Sequence, residues 1–253
     1  LKAACEGSLV PTEAELARAE GRPYEPAATL LARILDERRA RWQAENPRKP
    51  WKEPAAPDTD NLPELPEGWC WARIDQVADV LGGLTKNGRR NSLPLNFPYL
   101  RVANVYADRL QLDDISYINV NPSEIERVLL HKDDLLVVEG NGSGDQIGRV
   151  AIWDGSIDPC LHQNHIIKVR FQPREMARFV LYWLLSQGGR EQITLVASST
   201  SGLYTLNLSK VANLTVPVPP LAEQHRICAE IERIGTLGRA CEQATNDSGH
   251  RAV

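Results

Sequence analysis

An excess of basic residues is the first thing this sequence lacks. Its 29 Lys and Arg stand against 33 Asp and Glu, a formal net charge of -4. No global field draws nucleic acid to such a chain, so any contact of that kind must come from local patches. Cysteine is sparse too. Cys5, Cys70, Cys160, Cys228 and Cys241 are scattered with no C-x-x-C pair, which argues against a zinc site and a disulfide framework. A reducing cytoplasm is the simplest home for such thiols. No apolar run approaches the roughly 18 residues that a membrane span needs. Residues 1–20 mix charged and polar side chains, unlike a signal peptide. The chain opens on Leu1 and reads as part of a longer parent.

Catalytic signatures are missing as well. The stretch "VVEGNGSGDQIGRVAIW" (137–153) has the glycine density of a phosphate cradle. A P-loop, however, follows its glycines with Lys and Ser or Thr, whereas Gly144 is followed by Asp145 and Gln146. A dinucleotide fingerprint opens a helix, whereas here the β-rich "RVAIW" follows, so the loop joins two strands. There is no Asp-x-Lys or Glu-x-Lys of the kind metal-dependent phosphodiesterases use. Neither Asn-Pro pair continues as the Asn-Pro-Pro-aromatic loop of amine methylation. Cys160, His162 and His165 are spaced for a metal, but no second cluster supports them, and ordinary loop histidines are the plainer reading.

What is present is a β-rich middle between helices. Residues 24–47 have helical periodicity, with Leu30, Leu31, Ile34, Leu35 and Trp42 on one face. A proline-rich linker follows at 48–68. From Trp69 to Pro220, strands are expected near 99–105, 115–120, 135–138, 149–153 and 165–171, with a helix at 174–189. The stripe Met176, Phe179, Val180, Trp183 and Leu184 on that helix reads as core. A last helix starts at Leu221, its seam of Ile227, Ile231 and Ile234 weakened by Gly235 and Gly238. The fold class expected is mixed α/β: a β-rich domain flanked by helices that can form a coiled-coil-like spacer.

Several loops carry side chains suited to DNA. "LGGLTKNGRRN" (81–91) offers Thr85, Lys86, Asn87, Arg89 and Arg90 with no acid among them. Arg101, Asn104 and Arg109 follow. "HQNH" places His162, Gln163, Asn164 and His165 in a row, and "SSTSGLY" (198–204) contributes Thr200, Ser201 and Tyr204. Arginine grips guanine, and Asn or Gln grips adenine, through paired hydrogen bonds. Each loop alone also reads as an ordinary solvated turn.

The order of segments resembles one family. "LPELPEGWCWARIDQVADV" opens like a target recognition domain, and "VANLTVPVPPLAEQHRICAEIERI" closes like one. "LLARILDERRARWQAEN" with "KEPAAPDT" is similar to the helix and linker between two such domains. The chain thus resembles the C-terminal half of the specificity subunit of a type I restriction-modification system. The resemblance implies the end of a central spacer at 1–47, a linker at 48–68, a DNA recognition domain at 69–220 and the start of a spacer helix at 221–253. It implies no catalysis and no cofactor. Its partners would be double-stranded DNA, methyltransferase subunits and, in the full complex, the restriction subunit, with self-association of the chain as a further expectation. Asn141, Ser143, Asp145 and Gln146 of the glycine loop join the DNA-contact candidates. Leu31, Leu35, Trp42, Ile227, Ile231 and Ile234 become candidates for partner contact. The alternative is an assembly module that binds methyltransferase alone.

Overall fold

Three helices precede the β-rich region: α1 (Lys2–Cys5), α2 (Glu13–Glu20) and α3 (Ala27–Glu45). The computed structural model describes residues 1–140, 147–197 and 205–249, with 238–249 in backbone only. Local chemistry sets the limits of α2. Thr12 Oγ1 accepts from the amide of Glu15, and Glu15 Oε2 accepts from the amide of Thr12, satisfying two otherwise orphaned donors. Gly21, at φ 64°, ends the helix in the left-handed conformation that favours glycine. α3 begins after Pro26 and ends before Pro47, as its pattern predicts. Its buried face is Ala27, Leu30 and Ile34.

The β-rich region contains β1 (Cys70–Arg73), α4 (Ile74–Val77), β2 (Ala78–Gly82), β3 (Leu95–Leu100), β4 (Val105–Tyr106), β5 (Arg109–Leu110), β6 (Ser116–Val120), α5 (Pro122–Val128), β7 (Leu135–Val138), β8 (Val150–Ile152), β9 (Leu161–His162), β10 (Ile166–Phe171), α6 (Met176–Leu185), α7 (Gln187–Ala197), α8 (Leu208–Ala212) and β11 (Thr215–Val218). The last helix is α9 (Leu221–Gly249). One antiparallel sheet has the order β2-β10-β7-β8, and a second has β6-β3-β9, with β3 and β9 parallel. The strands of β7 are buried on both faces, which explains their unbroken apolar run "LLVV". β1 and β11 pair antiparallel, Cys70 opposite Val218 and Arg73 opposite Thr215. The region's first and last strands are therefore hydrogen-bonded neighbours.

Several elements differ from the periodicity. The helix expected at 174–189 splits at Ser186, whose backbone is extended (φ -71°, ψ 166°), and α7 then runs on to Ala197. The break brings the start of α7 onto α6: a Cβ on Gly189 would lie 2.0 Å from the carbonyl oxygen of Trp183. The strand expected at 99–105 is instead the end of β3, a 3-10 turn at Val102–Asn104 and the start of β4, and β1, β2, β5, β9 and β11 were not expected. β11 contains Pro217, which cannot donate to a ladder and disguises the strand. α9 continues through Gly235 and Gly238.

Two buried charge clusters hold the sheets. Lys168 is buried, and its ammonium donates to the carbonyls of Arg127 and Leu129, both at 2.9 Å, at the C-terminal end of α5 where carbonyls lack helical partners. Arg170 grips buried Asp134 with both arms, at 2.7 and 2.6 Å.

A third cluster joins the arms to the β-rich region. Glu223, in the first turn of α9, is fully buried. One oxygen accepts from the amide of Glu13 at 2.8 Å and the other from the indole Nε1 of Trp69 at 2.9 Å. Burial pushes this carboxyl above the usual range despite its two donors. Beside it, burial opposes the charge on Glu13, but Arg226 and Arg22, each at 2.6 Å, outweigh it and hold that carboxyl low. One turn along α9, Ile227 lies buried with Ala4, Trp69 and Phe179. The indole of Trp69 meets Phe179 edge-on, centroids 5.9 Å apart. Replacing Glu223 with alanine strands two buried donors, each costing about 1–3 kcal/mol. Glu223→Ala is expected to lose about 2–6 kcal/mol in urea unfolding and Glu223→Gln less, since Gln keeps one acceptor. An unchanged midpoint in Glu223→Ala would remove this carboxylate from the structure's supports.

Candidate nucleic-acid interface

The segment 162–165 is where the loops meet. Its backbone serves as a hub. The amide of Leu84 donates to His162 O at 2.9 Å, and the amide of Asn164 returns a bond to Leu84 O at 3.0 Å. The amide of Gln163 donates to Leu100 O, while the side-chain oxygen of Gln163 accepts from the amide of Val102 at 3.2 Å. On the other side, the amide of Glu139 donates to His165 O at 3.0 Å. The loop after β2, the turn after β3 and the end of β7 are thereby fixed to one short stretch of chain. Gly83 is required here: a Cβ would fall 2.2 Å from His162 O and 2.4 Å from Gln163 O.

The loop after β2 divides its cations between two tasks. Asn87 caps a tight 3-10 turn over Gly88–Ser92, its side-chain oxygen accepting from the amide of Arg89. Arg90 turns inward, donating to Thr85 O and Asn119 O and pairing bidentately with Glu124. That guanidinium, together with the Asn121 amide, holds the Glu124 carboxyl below its usual range. Arg90 is therefore loop scaffolding rather than a free DNA contact. Thr85, Lys86, Asn87 and Arg89 are exposed, and neither Lys86 nor Arg89 has a carboxylate partner among the described residues.

The other candidates sort in the same way. Asn104 is buried and structural, not exposed for contact. Its amide nitrogen donates to Gln111 O and Asp114 O, and its oxygen accepts from the amide of Arg101. Arg101 is half-buried and paired with Asp114 at 2.6 Å. His162 is fully buried, with Nδ1 3.0 Å from Ile166 O, so it too belongs to the interior. Asn164 is half-buried and His165 exposed. Asn141, Ser143, Asp145, Gln146, Thr200, Ser201 and Tyr204 lie outside the described residues. The grouping of Cys160, His162 and His165 dissolves. Cys160 faces Leu161 O with its thiol pushed up to about 12 by burial, His162 faces Ile166 O and His165 faces Glu139.

Residues that pattern reasoning passed over hold these loops. Glu139 and Arg149 flank the glycine-rich stretch. Arg149 donates to Val102 O at 3.3 Å, and its guanidinium lies 5.1 Å from the centre of the Tyr106 ring, with Arg109 at 5.0 Å. Arg190, on α7, donates to the carbonyls of Ile147 and Gly148. Their flanking position was the one available signal.

The partner candidates divide too. Ile227 is intramolecular core, contrary to its expected role, because the N-terminal arm and Phe179 cover it. Leu31 and Ile231 are half-buried against the same body, and Leu35 is half-buried. Trp42 meets Trp51 edge-on at 5.9 Å, so the linker folds back over it. Ile234 remains exposed, as does Leu237 three residues on. α3 and α9 do not run along each other as a pair: α9 packs on α6, and α3 packs on α4 and β1.

The fold and this loop cluster define a class: a mixed α/β module that presents hydrogen-bonding loops from joined sheet edges. The family then follows from comparison. Residues 66–247 match the family described as "Type I restriction modification DNA specificity domain", and the chain belongs to it. The StySPI specificity subunit of a type I restriction enzyme from Salmonella potsdam is 26% identical over 183 residues, covering 72% of this chain and 39% of that protein. The EcoAI specificity subunit from Escherichia coli is 25% identical over 237 residues, covering 92% of this chain and 38% of that protein. The chain spans about two fifths of the length of these curated relatives. A solved chain from work on complex assembly and conformational transition of the type I R-M system shares the fold, with a TM-score of 0.56 at 18% identity over 93% of this chain and 52% of that one.

Burial of His162 has a consequence for stability. Burial first, and the charge of Lys168 second, push its imidazole down to about 3 from an ordinary value of 6.5. Between these values the unfolded chain binds a proton that the folded chain does not, so stability falls as pH drops from about 6.5 towards 3 and is unaffected by this group above that range. Asparagine can offer a donor where Nδ1 stands but does not titrate. The urea midpoint of His162→Asn is expected to vary less across this window than that of the wild type, whatever the variant loses at neutral pH. An equally steep acid dependence would assign it to other groups.

Proposed function

We propose that this chain is the DNA-reading part of a type I restriction-modification complex. Residues 69–220 read one half of a bipartite duplex target. Residues 1–47 end one spacer region, 48–68 link it to the reading domain, and 221–253 begin a second spacer. The observation that carries this reading is the convergence of separate loops on 162–165, with Lys86 and Arg89 exposed beside it. Phosphate contacts by such cations set position, and amide or guanidinium contacts to base edges set sequence. The chain itself supplies no catalytic step and holds no cofactor. Methylation, with S-adenosylmethionine, and ATP-driven translocation and cleavage belong to partner subunits. The compartment is the cytoplasm, which suits the free thiols of Cys5, Cys70, Cys160 and Cys228.

If Lys86 and Arg89 lie on phosphates, the double variant Lys86→Ala/Arg89→Ala weakens all duplexes alike and lowers the salt slope of binding by about two. Fluorescence anisotropy with a mixed-sequence duplex over a salt series measures this. An unchanged slope takes the loop out of the interface. In a complete system, exchange of residues 69–220 is expected to alter one half-site of the methylation pattern and leave the other intact.

Docking of methyltransferase is assigned to the distal part of α9, where Ile234 and Leu237 are exposed on adjoining turns. Ile234→Asp/Leu237→Asp is expected to leave unfolding unchanged while abolishing association with the modification subunit, or with a second copy, in sedimentation velocity. Ile227→Asp, by contrast, charges the core and is expected to unfold the arm contacts. Association undiminished in the double variant would place docking elsewhere. Binding of methyltransferase without any affinity for duplex would instead favour a pure assembly module.

A further inference from the structure

Glu139 meets the neighbouring loops with all three of its polar groups. Its amide donates to His165 O at 3.0 Å, and its carbonyl accepts from the amide of Leu206 at 2.8 Å. Its carboxylate lies 2.6 Å from His165 Nδ1. A carboxylate beside DNA is repelled by phosphate, so this side chain is poorly suited to touch the backbone of a duplex. What it can do is act on its neighbour.

A carboxylate only accepts, so Nδ1 of His165 must carry the proton. In the neutral ring Nε2 is then an acceptor. The side-chain nitrogen of Asn164 stands 3.3 Å from that Nε2. Two acceptors repel, so the ring forces the amide of Asn164 to place nitrogen, not oxygen, towards it. One N–H of Asn164 is spent on the ring. Its other N–H and its carbonyl oxygen have no partner among the described residues and are fixed in relative orientation, on a residue half exposed at the edge where the loops join. One donor beside one acceptor complements the major-groove edge of adenine, which presents an N6 donor and an N7 acceptor.

Resting on the DNA-reading function above, we propose that Asn164 is a specificity-determining residue that reads an adenine, and that Glu139 and His165 are positioning residues that orient its amide. Glu139 fixes the tautomer of His165, and His165 fixes the amide of Asn164. Each step uses a hydrogen bond already in place, so the amide is set before DNA arrives and less freedom is lost on binding.

Two measurements on the full chain test this. The first reads the relay without DNA. Long-range proton–nitrogen NMR is expected to show the Nδ1–H tautomer of His165 in the wild type and in Glu139→Gln, whose amide oxygen still accepts. Glu139→Ala is expected to shift it towards Nε2–H. An unchanged tautomer in Glu139→Ala overturns the relay. The second is selection from a randomised duplex library. The wild type is expected to enrich a short motif containing adenine. Asn164→Ala is expected to lose preference at one adenine by about 5- to 150-fold and keep the rest of the motif. Glu139→Ala is expected to relax the same position by a smaller factor, and Glu139→Gln to restore it. A wild-type motif that Asn164→Ala leaves intact overturns this inference and spares the DNA-reading function. A wild type that enriches nothing overturns that function, and this inference with it. Asn164 is not core, so an unchanged thermal midpoint in Asn164→Ala is expected and separates lost reading from lost folding.

Discussion

The pairing of β1 with β11 is the constraint on which the rest depends. It makes the chain's entry into the β-rich region and its exit from it neighbours in one ladder, Cys70 opposite Val218. Everything between is an excursion with fixed ends. Just outside that ladder, Trp69 and Glu223 share a buried hydrogen bond, and the amide of Glu13 joins them on the second oxygen. The N-terminal arm, the β-rich region and α9 are thus tied at a single carboxylate. Leaving a buried donor unpaired costs more than a typical hydrogen bond gains, so each of these three parts is held by the need of the others. The arms are consequently fixed relative to the β-rich body.

Within the excursion, backbone rather than side chains assembles the interface. The segment 162–165 exchanges main-chain bonds with Leu84, Leu100 and Glu139. Its side chains then divide by burial, as the chain passes from β9 into a turn. His162 points inward and loses its charge, while His165 points outward and meets Glu139. Arg89 and Arg90 show the same division over one residue. Arg90 satisfies two carbonyls and a carboxylate, and Arg89 is left to solvent. A chain with net negative charge can in this way still offer cations to a polyanion, because its arginines have been partitioned between scaffold and surface.

Much of the architecture was legible from pattern alone. α3, the stripe of α6, the start of α9 and the strands β6, β7, β8 and β10 follow from apolar periodicity, whose origin is local geometry. The strands on either side of the glycine-rich stretch, β7 and β8, pair antiparallel, while residues 141–146 of that stretch lie outside the described residues. What escaped were elements whose identity is set by distant partners. β11 carries a proline, β9 has two residues, and each becomes a strand only by pairing with β1 or β3. The break between α6 and α7 was also invisible, because Ser186 forbids nothing locally and the turn is fixed by the close approach of Gly189 to Trp183.

The same boundary runs through the functional residues. The order of segments was enough to point to the family that the match over residues 66–247 then showed. The sequence also supplied the polar loops, because side-chain chemistry is carried by each residue wherever it folds. It could not say which of those side chains would be free. Asn104, His162 and Arg90 have the same chemistry as Asn164, His165 and Arg89. Tertiary packing alone decided that the first three would be used up inside, since hydrogen-bond partners such as Ile166 O, Gln111 O and Glu124 become available only when remote strands and turns close on one another. The relay from Glu139 to Asn164 has the same origin: it joins the end of β7 to the turn before β10, 25 residues apart in sequence, and exists only because the sheet brings those two ends together.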